Sequence, residues 1–273
     1  MKRPVIFTFL VLCFSAAASF SQVATPPPDN IVKVNLSQTE IDRIVKQVTK
    51  NEALFRRALN VYAFDRFATM QTVGMGGNIT GTFRRDSFMT FSEAGERFEK
   101  VVFAPLPTMT DLQITADDID QLGGVNQFAI EPNVADQYQF TLVGKEKRPP
   151  FDFYVFDVAP KVMPDPKKGE GKFFQGRIWV DADDLLIVVS KGKGVPELKQ
   201  RFPIVETTRA PVDNRFYFPV DARSDDTLEF KNGRVQKIKF RVRYENYRLG
   251  RSDVRILDDV PDPIPSPTPK KPE

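Results

Sequence analysis

Ile238, Phe240, Val242 and Tyr244 alternate residue by residue with Lys237, Lys239, Arg241 and Arg243. A period of two sends successive side chains to opposite faces, so residues 234–248 form a strand with one buried and one wet face. Comparable runs are predicted at 61–73, 79–91, 96–103, 138–144, 151–158, 173–181, 185–191, 203–210, 215–223 and 227–231. Short strands separated by turn residues stack into a largely antiparallel sheet, and the chain is mainly β. The basic row Lys237, Lys239, Arg241 and Arg243 is an ordinary solvated sheet face, which also blocks edge pairing. Its functional alternative is a docking surface for anionic lipid or an acidic partner.

Helical periodicity precedes the strands. Ser37 followed by Glu40 is a capping box, and Ile41, Ile44, Val45 and Val48 then share one face. The apolar stripe resumes at Leu54, Phe55, Ala58 and Leu59, offset after Thr49-Lys50-Asn51, which leaves room for a bend or restart before the helix ends near Asn60. A second, short helix is predicted at Thr115 to Gln121, crossing the sheet. Some strands are apolar on both faces: Phe151, Phe153 and Val155 oppose Tyr154, Phe156 and Val158, while Leu185, Ile187 and Val189 oppose Leu186 and Val188. A sheet buried on both sides, or one lining an apolar cavity, has this pattern. The 24 Phe against one Trp and six Tyr agree with either a packed core or a ligand cavity.

The ends have a different composition. Lys2 and Arg3, the apolar stretch Val5 to Ala18 and Ser19-Phe20-Ser21-Gln22 read as a secretory signal peptide, residues 1–21, cleaved near Ser21. The apolar run is too short for a spanning helix, so no stable transmembrane anchor is expected. Leu12 stands where a lipoprotein signal would have a small residue before Cys13, so Cys13 leaves with the peptide. Residues 22–36 read as a proline-rich leader and 251–273 as a proline-rich disordered tail, with six prolines in Pro261 to Glu273.

Cleavage leaves a chain with no cysteine and no histidine. Disulfides, Cys or His nucleophiles, a Ser-His-Asp triad and thiolate or imidazole zinc sites are excluded. Losing Lys2 and Arg3 takes two charges from a formal +3 and leaves +1, which argues against nucleic acid as a partner. Gly74-Met75-Gly76-Gly77 lacks nucleotide-fingerprint spacing and reads as a hairpin turn. Asp181-Ala182-Asp183-Asp184 lacks the glycine and distal Glu of a calcium loop and reads as a hairpin connection. The doublets Asp117-Asp118, Asp225-Asp226 and Asp258-Asp259 read as helix starts and turns, because neighbours on a strand point to opposite faces. No enzyme, metal site or cofactor is expected.

Gly176-Arg177-Ile178-Trp179-Val180-Asp181, followed by Leu185 to Ser190, resembles a strand-turn-strand unit of the periplasmic lipoprotein-carrier family of LolA type. The capped helix, the strand Phe98 to Phe103, Phe216-Tyr217-Phe218-Pro219 and Tyr244-Glu245-Asn246-Tyr247 follow in the same order, so the resemblance spans residues 37–250. It implies a strongly curved, half-open, barrel-like antiparallel sheet whose concave face is covered by an N-terminal amphipathic helix and a short helix. It also implies a periplasmic protein that holds lipid or an acylated protein and meets an inner- or outer-membrane envelope partner. Shielding an acyl chain saves about 0.8 kcal/mol per CH₂, so such a carrier needs apolar concavity rather than reactive groups. By alternation, the lining candidates are Phe153, Val155, Ile178, Trp179, Phe218, Ile238, Phe240 and Val242. The leader, the tail and the insertion Pro160 to Lys172 depart from the compact family pattern. A protein-interaction or sensor module with a filled core is the alternative on the same fold.

Overall fold

A computed structural model describes residues 30–92, 95–110, 112, 114, 129–165, 173–197, 201–213 and 216–250. The expected signal peptide, most of the expected leader, the helix expected at Thr115 to Gln121, most of the insertion and the expected tail lie outside the described residues.

Helix α1, Gln38–Leu59, starts at Ser37, whose hydroxyl accepts the Glu40 amide at 3.3 Å while the Glu40 carboxylate accepts the Ser37 amide at 3.0 Å. Glu40 at the first turn and Arg56 and Arg57 at the last complement the helix dipole. The helix runs unbroken through Thr49-Lys50-Asn51, where the offset stripe left room for a restart. The polar residues there have partners. Thr49 donates to the Lys46 carbonyl at 3.1 Å, and the Asn51 amide donates to the carbonyls of Asp184 and Leu185 at 3.1 and 2.9 Å.

Among the described residues the strands are β1 (Ile31–Val32), β2 (Tyr62–Val73), β3 (Ile79–Phe91), β4 (Arg97–Phe103), β5 (Tyr138–Arg148), β6 (Phe151–Pro160), β7 (Phe173–Asp181), β8 (Ile187–Val195), β9 (Val205–Val212), β10 (Phe216–Glu229) and β11 (Val235–Leu249). One turn of helix, α2 (Pro132–Ala135), precedes β5. The strands form one antiparallel sheet in the order β1-β5-β6-β7-β8-β9-β10-β11-β2-β3-β4, with β1 and β4 as its edges. Consecutive hairpins build β5 to β11, and the β2-β3-β4 meander docks on β11. β4 and β5 lie toward opposite ends of the strand order, and several described residues of the segment between them lie against the sheet. The Thr108 amide donates to the Thr82 carbonyl, and Met109, Leu112, Ile114 and Ala129 pack on the same side as α1.

Three details differ from the sequence expectation. Ile31 and Val32, at the end of the expected leader, pair with Glu146 and Lys145. The segments 215–223 and 227–231 are one strand, because Asp225 and Asp226 lie opposite Lys239 and Ile238, and Asp226 also accepts the Ile204 amide at 2.8 Å. That doublet is a strand feature and no turn. Leu185 and Leu186 belong to the β7–β8 turn, where Leu185 takes a φ of 55° and Asp181 accepts the Asp183 amide at 3.2 Å.

The sheet curves around α1. A helix of 22 residues is about 33 Å long, whereas β5 and β4 would stand about 43 Å apart in a flat sheet. Ile44 and Val48 nevertheless pack with Tyr138 of β5, and the last-turn carbonyl of Leu59 accepts Arg97 of β4 at 2.5 Å. Only a concave inner face brings both β5 and the edge strand β4 to one helix.

Candidate functional site

The inner face has two apolar lobes beneath α1. Under its second half, Phe55, Ala58 and Leu59 meet Phe64, Ala68 and Met70 of β2, Phe218 and Ala222 of β10, and Phe240, Val242 and Tyr244 of β11. The rings interlock: Tyr62 and Phe218 are 4.9 Å apart edge to face, and Phe216 stacks on Phe218 at 5.7 Å. Under its first half, Ile44 and Val48 meet Phe156, Val158, Ile178, Val180 and Ile187. Beside this lobe, a groove of about 470 Å³ opens between α1, α2 and β5, lined by Ile41, Val45, Tyr138 and Phe140 and rimmed by Asp42, Lys46, Asp136 and Lys161. Its volume falls within the range of small-molecule pockets.

The residues singled out by alternation divide between faces. Phe218, Phe240 and Val242 lie in one lobe and Ile178 in the other. Ile238, fully buried, continues the Phe240 and Val242 row. Phe153, Val155 and Trp179 occupy the outer face with Val188, in a third cluster. There the Trp179 indole donates to Glu146 at 2.7 Å, and the Arg148 guanidinium lies 5.0 Å from the Trp179 ring. A bulge between Trp179 and Val180 shifts the pairing with β8 and places both Val188 and Val189 in that cluster.

The basic row is solvated and largely paired. Arg241 meets Asp221 at 2.6 Å, Arg243 meets Glu245 at 2.9 Å and Lys237 meets Asp225 at 3.4 Å.

Charge also enters the inner face. Glu52 of α1 and Arg209 of β9 form a buried two-point pair at 2.5 and 3.0 Å, with the Arg209 guanidinium 4.0 Å from the Phe55 ring centre. Arg66 of β2 meets Glu99 of β4 at 2.6 Å, and Glu99 also accepts Arg85 at 2.8 Å from each of two nitrogens, and the Ser87 hydroxyl. The Arg85 fork is the main cause that holds the Glu99 carboxyl down at about 2, against burial and with help from Ser87 and Arg66. Arg97 donates to the carbonyls of Leu59 and Tyr62 at 2.5 and 2.8 Å, closing the end of α1 onto the edge strand. Burial lowers its pKa to about 10.

Sequence reasoning missed these charges, although a signal was present. Glu52 falls on the Val48-Phe55-Leu59 stripe, and Arg66 falls in the Tyr62-Phe64-Ala68 alternation. Each is a charge on a face otherwise apolar. Arg209 carries no such mark.

Among the described residues, no helix is long and apolar enough to cross a membrane, and no group of His, Cys, Asp or Glu clusters as a metal site. No family model matches the chain, and no curated protein matches it by sequence. Solved structures similar to it include a LolA-superfamily protein from Nitrosomonas europaea, at 12% identity and TM-score 0.36, covering 77% of this chain and 93% of that one. A DUF1329-family protein from Desulfovibrio piger is similar at 15% identity and TM-score 0.36, covering 76% and 93%. A domain named for outer-membrane lipoprotein sorting, from Vibrio parahaemolyticus, is similar at 11% identity and TM-score 0.31, covering 72% and 90%. The fold assignment stands on the strand order and register described above.

Proposed function

We propose that this chain is a non-enzymatic periplasmic protein of the bacterial envelope that binds or carries lipid or acylated protein. One observation carries the reading: the apolar inner face of an open, curved sheet is roofed by one amphipathic helix, with a groove running along that helix. An acyl chain needs such a surface and nothing reactive, since each shielded CH₂ contributes about 0.8 kcal/mol. The polar links between α1 and the sheet are Asn51 to the β7–β8 turn, Glu52 to Arg209 and the Leu59 carbonyl to Arg97, and the rest of the contact is apolar.

A second reading, a protein-interaction or sensor module with a filled core, draws on the tightness of the same interior. Phe218 and Ile238 are fully buried and Val242 is 1% exposed. Mass spectrometry of lipid extracted from the purified protein, together with titration of a fluorescent fatty acid, separates the two readings. Co-purifying lipid and saturable binding support the carrier. Absence of both overturns it in favour of the module.

A further inference from the structure

Arg66 is 1% exposed and stands on the inner face among Phe64, Ala68 and Met70. Its Nη2 donates to Glu99, but its Nε and Nη1 are buried without any partner. Glu99 has no further capacity to spare, because Arg85 and Ser87 already crowd its two oxygens. Buried guanidinium donors are matched in nearly all proteins, and a charged donor without an acceptor is among the most destabilising groups a core can hold. An arginine kept in that state has two donors that an oxyanion would satisfy, on an apolar wall where hydrocarbon would take the place of Phe55, Ala58 and Leu59 of α1. Arg97 Nη1 and Arg209 Nε also lack a partner, but each of these arginines has one such nitrogen beside two hydrogen bonds that account for its place, whereas Arg66 has two beside one.

We propose that Arg66 binds the anionic head, carboxylate or phosphate, of an amphiphile whose chain lies along the inner face of β2, β10 and β11. The inference rests on the lipid-binding reading above and adds to it the chemistry of the head group. Guanidinium donors satisfy carboxylate and phosphate oxygens with charge-assisted hydrogen bonds, whereas an alcohol or ester offers the same two nitrogens only neutral, weaker acceptors. The competing explanation is a buried water on the same two nitrogens, which would not distinguish charged from neutral heads.

The test compares dodecanoate, dodecyl phosphate, dodecanol and inorganic phosphate by calorimetric titration of the purified protein at pH 7.5. The two anionic amphiphiles are expected to bind about tenfold or more tighter than dodecanol, the scale of a hydrogen bond to a charged group. Inorganic phosphate is expected neither to bind measurably nor to compete, which separates a lipid head from free phosphate. Arg66→Met should bring the anionic ligands to the dodecanol level and leave dodecanol within about twofold. Arg66→Met combined with Glu99→Gln removes both ends of the buried pair and serves the same comparison where the single variant does not fold. Equal affinity for all three amphiphiles overturns the Arg66 proposal and leaves the lipid reading standing. Binding of none of them overturns the lipid reading itself. Tight binding of inorganic phosphate with no preference among the amphiphiles overturns the head-group assignment.

Discussion

Replacing Arg209 with Met should destabilise the protein more than any comparable change on the sheet, because it leaves the Glu52 carboxylate stranded. Both side chains are almost inaccessible, at 5% and 2% exposure, and they meet through two contacts at 2.5 and 3.0 Å. Removing one member of such a pair costs about 3–5 kcal/mol, since the remaining ion keeps its desolvation penalty and loses its compensation. Loss of the Arg209 guanidinium from the Phe55 ring adds about 0.5–2 kcal/mol. Against a total stability of about 5–15 kcal/mol, this is about a quarter or more. The double variant Glu52→Leu/Arg209→Met removes both ions and should return to within about 1 kcal/mol of the parent. Urea unfolding followed by circular dichroism reads both. With a slope of about 3 kcal/mol per molar, the single variant moves the midpoint by more than about 1 M. A single-variant midpoint within about 0.3 M of the parent, on that slope, or a double variant no better than the single, would refute the reasoning.

Acid should remove the contribution of Glu99. Its folded pKa of about 2 lies below the ordinary 4.5, so its stabilisation is complete above about pH 4.5 and is lost as pH falls toward 2. Thermal midpoints measured from pH 6 to pH 2 should fall less steeply for Glu99→Gln than for the parent, and parallel curves would contradict the assignment. Gly176→Ala should lose about 1–3 kcal/mol in urea unfolding, because its methyl would meet the backbone of Lys191 and Gly192 on β8. A neutral result would mean that β7 and β8 part more easily than their register implies. Trp179 is the sole tryptophan and faces outward onto Glu146 and Arg148, so its emission should stay unchanged when an acyl ligand saturates the inner face. A blue shift would place the ligand on the opposite side of the sheet.

Much of the strand set was legible because a half-buried strand writes its own period. The limits read for 79–91 and 173–181 coincide with β3 and β7, and Lys237 to Tyr244 lie on β11 with the predicted faces buried and wet. The capping box marked the start of α1 for the same local reason. Legibility failed where a residue answers to a partner distant in sequence. Asp225 and Asp226 look like a turn until Lys237, Lys239 and Ile238 stand beside them. Thr49-Lys50-Asn51 looks like a break in the helix until the β7–β8 turn supplies the partners of Asn51, and Glu52 looks out of place on the apolar stripe until Arg209 pairs with it.

The candidate lining was legible only to the level of parity. Alternation separates Ile178 from Trp179 and Phe153 from Phe156, and that separation is a property of the pleat which the residues themselves determine. Which of the two faces turns inward is decided by α1, whose single apolar stripe reaches from β5 to the edge at β4 and so selects the concave side. By itself, then, the sequence determined a capped amphipathic helix, an antiparallel run of strands and a chain with no imidazole and with Cys13 as its one thiol. Tertiary structure alone decided that Phe218, Phe240 and Val242 share an interior with Arg66 while Phe153, Val155 and Trp179 do not. The physical reason is that curvature and burial arise from contacts between strands far apart in sequence, and a period of two carries no information about them.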